Sequence, residues 1–175
     1  RIINPNSVFF QGQFGSASAC TTKPLTNEEW RSIMLYVLLN SPAAEPYKQE
    51  FLREFWTASR LPEAHEIDTL ISQGSGPQWR DFISWFWRKA QTDMSISSEL
   101  CAVACGCDLR VRSFNGYDVN GFRFHMTSYE ESRPNRSATN SGVVTIDTDG
   151  KEYHGRVLEI YELSFYGAPH LKPVI

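Results

Sequence analysis

The stretch from Phe114 to Val144 constrains the fold more than any other, because three turn steps interrupt its aromatic and β-branched runs. Asn115-Gly116, Asn120-Gly121 and Asn140-Ser141-Gly142 all contain residues that tolerate positive φ, so the backbone is able to reverse at each. This is hairpin or bulge chemistry, and a continuous helix does not survive it. Between these segments the run from Met126 to Thr139 is polar, charged and without a period. It is long for a connection in a compact domain, and loops of that length are usually binding surfaces or disordered.

Strand patterning extends over the rest of the C-terminal half. Leu109 to Phe114, Tyr117 to His125, Gly142 to Asp147, Glu152 to Phe165 and a last piece from Pro173 to Ile175 are rich in β-branched and aromatic residues. Asp149-Gly150 reads as a hairpin turn, and Gly155 as a bulge where the long strand bends.

Upstream the pattern is helical. Thr26 and Glu29 have the spacing of a capping box, and Trp30, Ile33, Met34, Val37 and Leu38 lie beyond them on one helical face until Asn40, Ser41 and Pro42 stop it. A second helix begins after Pro46 and aligns Tyr47, Phe51, Leu52, Phe55 and Trp56. A third carries Ile67, Leu70 and Ile71 to Gly74. Gly74 to Pro77 is a flexible break. The next helix places Trp79, Phe82, Ile83, Phe86 and Trp87 on its stripe, with Trp85 off it, and this aromatic face reads as core. Ser98 and Glu99 cap a short helix that Gly106 ends. Residues 1 to 25 show no period and read as an extended arm whose Phe9, Phe10 and Phe14 dock on the body.

The fold expected is therefore α+β. A helical region over 26–107 precedes an antiparallel β domain over 108–175, a small sheet or partly closed barrel of about five strands.

A chain of 175 residues buries one sizeable core or two small ones, and its net charge of −3 is not the electrostatic footprint of a DNA binder. The longest apolar run, Ile33 to Leu39, is too short to cross a bilayer. The chain begins on Arg1 with no visible signal peptide, so reduced thiols are the default.

Cys101, Cys105 and Cys107 are spaced C-x3-C-x-C, which with His125 or His154 resembles a zinc site only loosely, because paired C-x2-C knuckles are absent. A packed helix end accounts for them, with Cys behaving as a small apolar residue. Asp147 to Gly150 starts like a calcium loop without the remaining ligands, and a hairpin turn explains it. No metal or cofactor is expected. His125 beside Ser128 and Glu130, and His154 near Asp147 and Asp149, match no catalytic motif, so no enzyme activity is expected either. Arginines interleaved with aromatics fall on the sheet and its long loop, an arrangement suited to phosphate contact and stacking, but the acids among them read as a solvated face. The binding residues expected are Arg123, His125, Tyr129, Arg133, Arg136 and Asn140.

Six short motifs in order carry a resemblance: Tyr36-Val-Leu-Leu-Asn40, Pro46-Tyr47, Phe82-Ile-Ser-Trp-Phe86, Gly116-Tyr-Asp-Val-Asn-Gly-Phe-Arg-Phe-His125, Asn140-Ser-Gly-Val143, and Tyr153-His-Gly155 followed by Leu158-Glu-Ile-Tyr-Glu-Leu163. Over residues 28 to 175 the chain resembles the C-terminal region of plant CACTA (En/Spm-type) transposases, two adjoining domains of unknown function that lie after the catalytic core. Nothing equivalent to that nuclease core is present, and family copies continue with another strand beyond Lys172 to Ile175. The resemblance implies a severed or domesticated transposon piece, and a nuclear setting.

The function expected is a non-catalytic module that binds a protein, in a hetero-complex or by self-association, through its arm, its long loop and an open apolar sheet edge at Val174-Ile175. The alternatives are a DNA-binding accessory domain, or a transposon fragment acting as toxin or antidote of a selfish element.

Overall fold

The computed structural model describes residues 19–55, 62, 66, 82–119, 121–133, 139–146 and 151–175. The expectations for Phe9, Phe10, Phe14, Trp56, the third helix, the Gly74 to Pro77 break, Trp79, Arg136 and the Asp147 to Gly150 turn lie outside these residues.

The fold is α+β. Helix α1 (Asn27–Leu39) starts where the capping box places it: Thr26 accepts the Glu29 amide at 3.2 Å, and Glu29 reaches back to the Thr26 amide at 2.8 Å. Ile33, Met34, Val37 and Leu38 are buried as spaced, and Asn40 ends the helix. A 3₁₀ turn, Pro42–Ala44, leads into α2 (Glu45–Phe55), which buries Phe51 and Leu52.

Helix α3 (Phe82–Thr92) corrects the expected stripe. Trp85 is buried and Trp87 is 47% exposed. Residues 82, 85 and 86 form the i, i+3, i+4 face that meets α2, where Phe51 packs edge-on against both Phe82 and Trp85 at 5.3 Å. The Trp85 indole donates to Glu54 Oε2 at 2.8 Å, so its polar edge is satisfied at the margin of that contact. Helix α4 (Ser98–Cys105) is capped by the Ser97 hydroxyl, one residue before the expected Ser98, and ends at Gly106, whose φ is +93°.

The strands do not form one sheet or a barrel. Among the described residues they make three antiparallel units: a sheet ordered β1–β2–β7, built from Cys20–Pro24, Arg110–Phe114 and Tyr161–Glu162; a hairpin of β3 (Gly116–Val119) and β4 (Phe122–His125); and a hairpin of β5 (Gly142–Ile146) and β6 (Glu152–Arg156). The end of the expected arm belongs to this body as β1, paired from Cys20 opposite Phe114 to Pro24 opposite Arg110.

The single strand expected over Glu152 to Phe165 is two. Gly155 is no bulge, for it sits in regular register opposite Val143. The break comes at Val157, whose amide bonds Ser141 and whose carbonyl bonds Thr127, so the chain leaves one hairpin before joining β2. The stretch from Tyr117 to His125 is a hairpin, reversed at Gly121 of the expected Asn120-Gly121 step, with φ +82°.

Residues 173–175 pair along β7, with Tyr161 and Ile175 exchanging backbone bonds at 2.9 Å. Beside the edge expected to be open, Tyr161, Leu163, Phe165 and Leu171 are buried, because this layer packs on the helices. One core cluster joins α1 to α4 with Val111, Tyr161, Leu163, Phe165 and Leu171. A smaller one gathers Phe114, Tyr117 and Ile160, with Met126 and Val157 at its margin. Lys23 ties the layers: its ammonium contacts the Tyr161 hydroxyl and pairs with Glu29 and Glu159 at 3.3 and 3.4 Å. The Tyr161 hydrogen bond, ahead of the neighbouring acids, holds that ammonium above the ordinary lysine range.

Candidate functional site

The two ends of the long segment after β4 are stitched to one spot by backbone bonds. The amides of His125, Met126, Thr127 and Val157 donate to the carbonyls of Asn140, Asn115, Val157 and Ser141 at 3.1, 3.0, 2.8 and 2.7 Å. Because this spot joins all three strand units, the chain leaving β4 is anchored rather than loose. The segment expected to be an irregular loop opens with a short helix, α5 (Thr127–Glu131), and Thr127 secures it through a second bond from its hydroxyl to the Val157 carbonyl at 3.0 Å.

Glu130 sits at the centre. Its carboxylate accepts from the Asn140 amide and the Ser141 hydroxyl, and these bonds, the Ser141 hydroxyl first, hold it below the usual carboxylate range. Only 11% of its side chain is exposed. The His125 imidazole is buried beside it, with Nδ1 at 3.6 Å from Glu130 Oε1, beyond hydrogen-bond reach and without another partner among the described residues. Gly116 makes room for the ring: a Cβ there would lie 2.5 Å from His125 Cδ2. Tyr129 tilts against the imidazole at 5.2 Å between centroids, and the Arg133 guanidinium lies 4.5 Å over the Tyr129 ring.

Of the six residues expected from sequence, the structure brings His125, Tyr129, Arg133 and Asn140 together. Asn140 acts through its backbone. Arg123 stands apart, paired with Asp118 directly across the β3–β4 hairpin, and Arg136 lies outside the described residues. Glu130 and Ser141 were missed as the centre of the cluster, because their contact joins a helix to a turn about ten residues on and no period reports that. The signal that could have found them is Asn140-Ser141-Gly142, a step that offers consecutive donors to any acid folded onto it.

Outward from Glu130 an open cleft of about 680 Å³ runs between α5 and the β5–β6 ribbon, with Arg133, Thr139, His154 and Arg156 along it. All of β6 is exposed. Val144 and Tyr153 also stand half in solvent, at 55% and 48%. His154 is 3.7 Å from Glu152.

The cysteines are dispersed in environment. Cys20 and Cys105 are exposed, Cys101 is half-buried, and Cys107 is buried, where desolvation pushes its thiol up to about 11. Among the described residues no group of three His, Cys, Asp or Glu side chains is placed to hold a metal ion. No described helix is long and apolar enough to cross a membrane.

Comparison with protein-family models, curated proteins and solved structures finds no match to this chain.

Proposed function

We propose that the chain is a non-catalytic interaction module, derived from a CACTA-type transposase as its ordered motifs suggest, that binds a protein partner across the β5–β6 ribbon and the cleft beside α5. One observation carries this reading. A two-stranded ribbon is marginal by itself, yet this one exposes apolar Val144 and Tyr153 and leaves β6 uncovered along its length. A partner strand laid on the ribbon would satisfy its outer backbone groups, and Glu131, Arg133 and Arg156 along the cleft would offer it charges of both signs.

The test is quantitative capture from the source tissue on immobilised chain, native against Val144→Ser/Tyr153→Ser, with circular dichroism showing both folded. The expected result is a protein retained by the first and released by the second. Identical recoveries from both would sink the reading. Titration of a random duplex against salt covers the DNA-binding alternative: with a net charge of −3, weak binding is expected at physiological salt. Tight binding with a steep negative salt slope would replace protein with DNA as the partner.

A further inference from the structure

The helical half carries a second surface that the proposed function does not use. Helices α1, α3 and α4 leave a groove of about 410 Å³ between them, and it is mostly apolar. Trp30 forms its fixed wall. The indole lies against Gly106, where there is no side chain to displace it, and donates from Nε1 to the Cys107 carbonyl at 2.9 Å. Trp87, the aromatic that helix packing pushed to the outside of α3, lines it from that helix, together with buried Ile83 one turn earlier. Arg31 on α1 and Arg88 on α3 flank the groove, and no described acidic residue lines it. The result is a locally cationic aromatic groove on a chain of net charge −3.

A lining of two tryptophans and Ile83 accepts one bulky apolar side chain, and Arg31 and Arg88 on its two helices select acidic neighbours for it. We propose that this groove docks a protein segment in which a large apolar residue is flanked by Asp or Glu. The open shape and the scarcity of polar groups inside suit a peptide side chain better than an enclosed small molecule.

The test is selection of a random dodecapeptide display library on the full chain, followed by fluorescence-anisotropy titration of the enriched peptide, synthesised with a dye. The expected consensus is an aromatic or branched apolar residue with acids within a few positions. Arg31→Glu/Arg88→Glu is expected to weaken that peptide by about tenfold or more, and binding should rise for a version with Lys in place of each acid. Trp87→Ala should weaken both peptides. All three positions are exposed, so melting temperatures should stay close to native.

A consensus without acids, or one indifferent to these substitutions, overturns the proposal. Failure to enrich any consensus overturns it too. Self-association of the native chain that Arg31→Glu/Arg88→Glu abolishes would assign the groove to a second copy and overturn it as well. The ribbon variant Val144→Ser/Tyr153→Ser should bind the selected peptide normally, so this proposal and the proposed function fail separately.

Discussion

A methyl group at Gly106 measures how firmly the end of α4 is fixed to α1. The residue has φ +93°, which strains any L side chain, and a Cβ would penetrate the Trp30 ring, with Cε2 and Cη2 both at 3.2 Å beyond the nearest atom. Gly121 has a similar φ of +82° with open space around it. Chemical denaturation should therefore separate strain from collision: Gly121→Ala is expected to cost about 1 kcal/mol, and Gly106→Ala at least about 2 kcal/mol. Equal losses would mean the indole moves aside freely. Glu130 makes a pH-dependent prediction. Its carboxyl is held below the ordinary glutamate range, so the ionised form is the one bound in the native state. A depressed acid contributes stability above its unfolded pKa and loses it as pH falls through the folded one. Relative to Glu130→Gln, the native chain should be more stable near neutrality, with the gap closing as pH drops below about 4.3, the usual glutamate value. A gap independent of pH would show that the substitution removes shape rather than charge.

Among the elements, β2 and the β5–β6 ribbon are opposites built from similar residues. Strand β2 is paired on both sides, by β1 and by β7, and packs on the helices through Val111, while β6 has a partner on one side and solvent over every side chain. Backbone hydrogen exchange should therefore be fastest in the ribbon, with protection in β2 approaching that of global unfolding. Protection of Glu152–Arg156 equal to that of Arg110–Phe114 in the isolated chain would indicate that the ribbon is already covered, and would weaken its claim to be a docking site. Helix α1 shows the opposite relation between sequence and structure, because its cap, stripe and stop are all local.

At the level of the whole molecule, the strand layer and the helices share the main hydrophobic cluster. Phe51, Phe82 and Phe86 from the helices and Leu163 and Phe165 from the strand region belong to it. Neither part can lose its structure without exposing the other's core. Heat or denaturant should consequently give one transition, with tryptophan fluorescence and far-ultraviolet circular dichroism superimposing. A two-step curve, helices melting apart from strands, would contradict this.

The sequence by itself determined the start and stop of α1, the stop of α4 at Gly106, the buried face of α1, and the change from helix to strand after α4. In each case the signal spans a turn or two of chain, within reach of capping, periodicity and positive-φ residues. The gathering of His125, Tyr129, Arg133 and Asn140 was legible only as a neighbourhood. Tertiary structure alone decided that Trp85 rather than Trp87 is buried, because the choice rests on where α2 lies. It also decided that Val157 ends a hairpin, that Glu130 is bound by Asn140 and Ser141, and that the strands make three units instead of one. Each of these depends on a hydrogen bond or a packing contact between residues distant in the chain, and such pairings leave no period in the sequence because either partner alone is compatible with several folds.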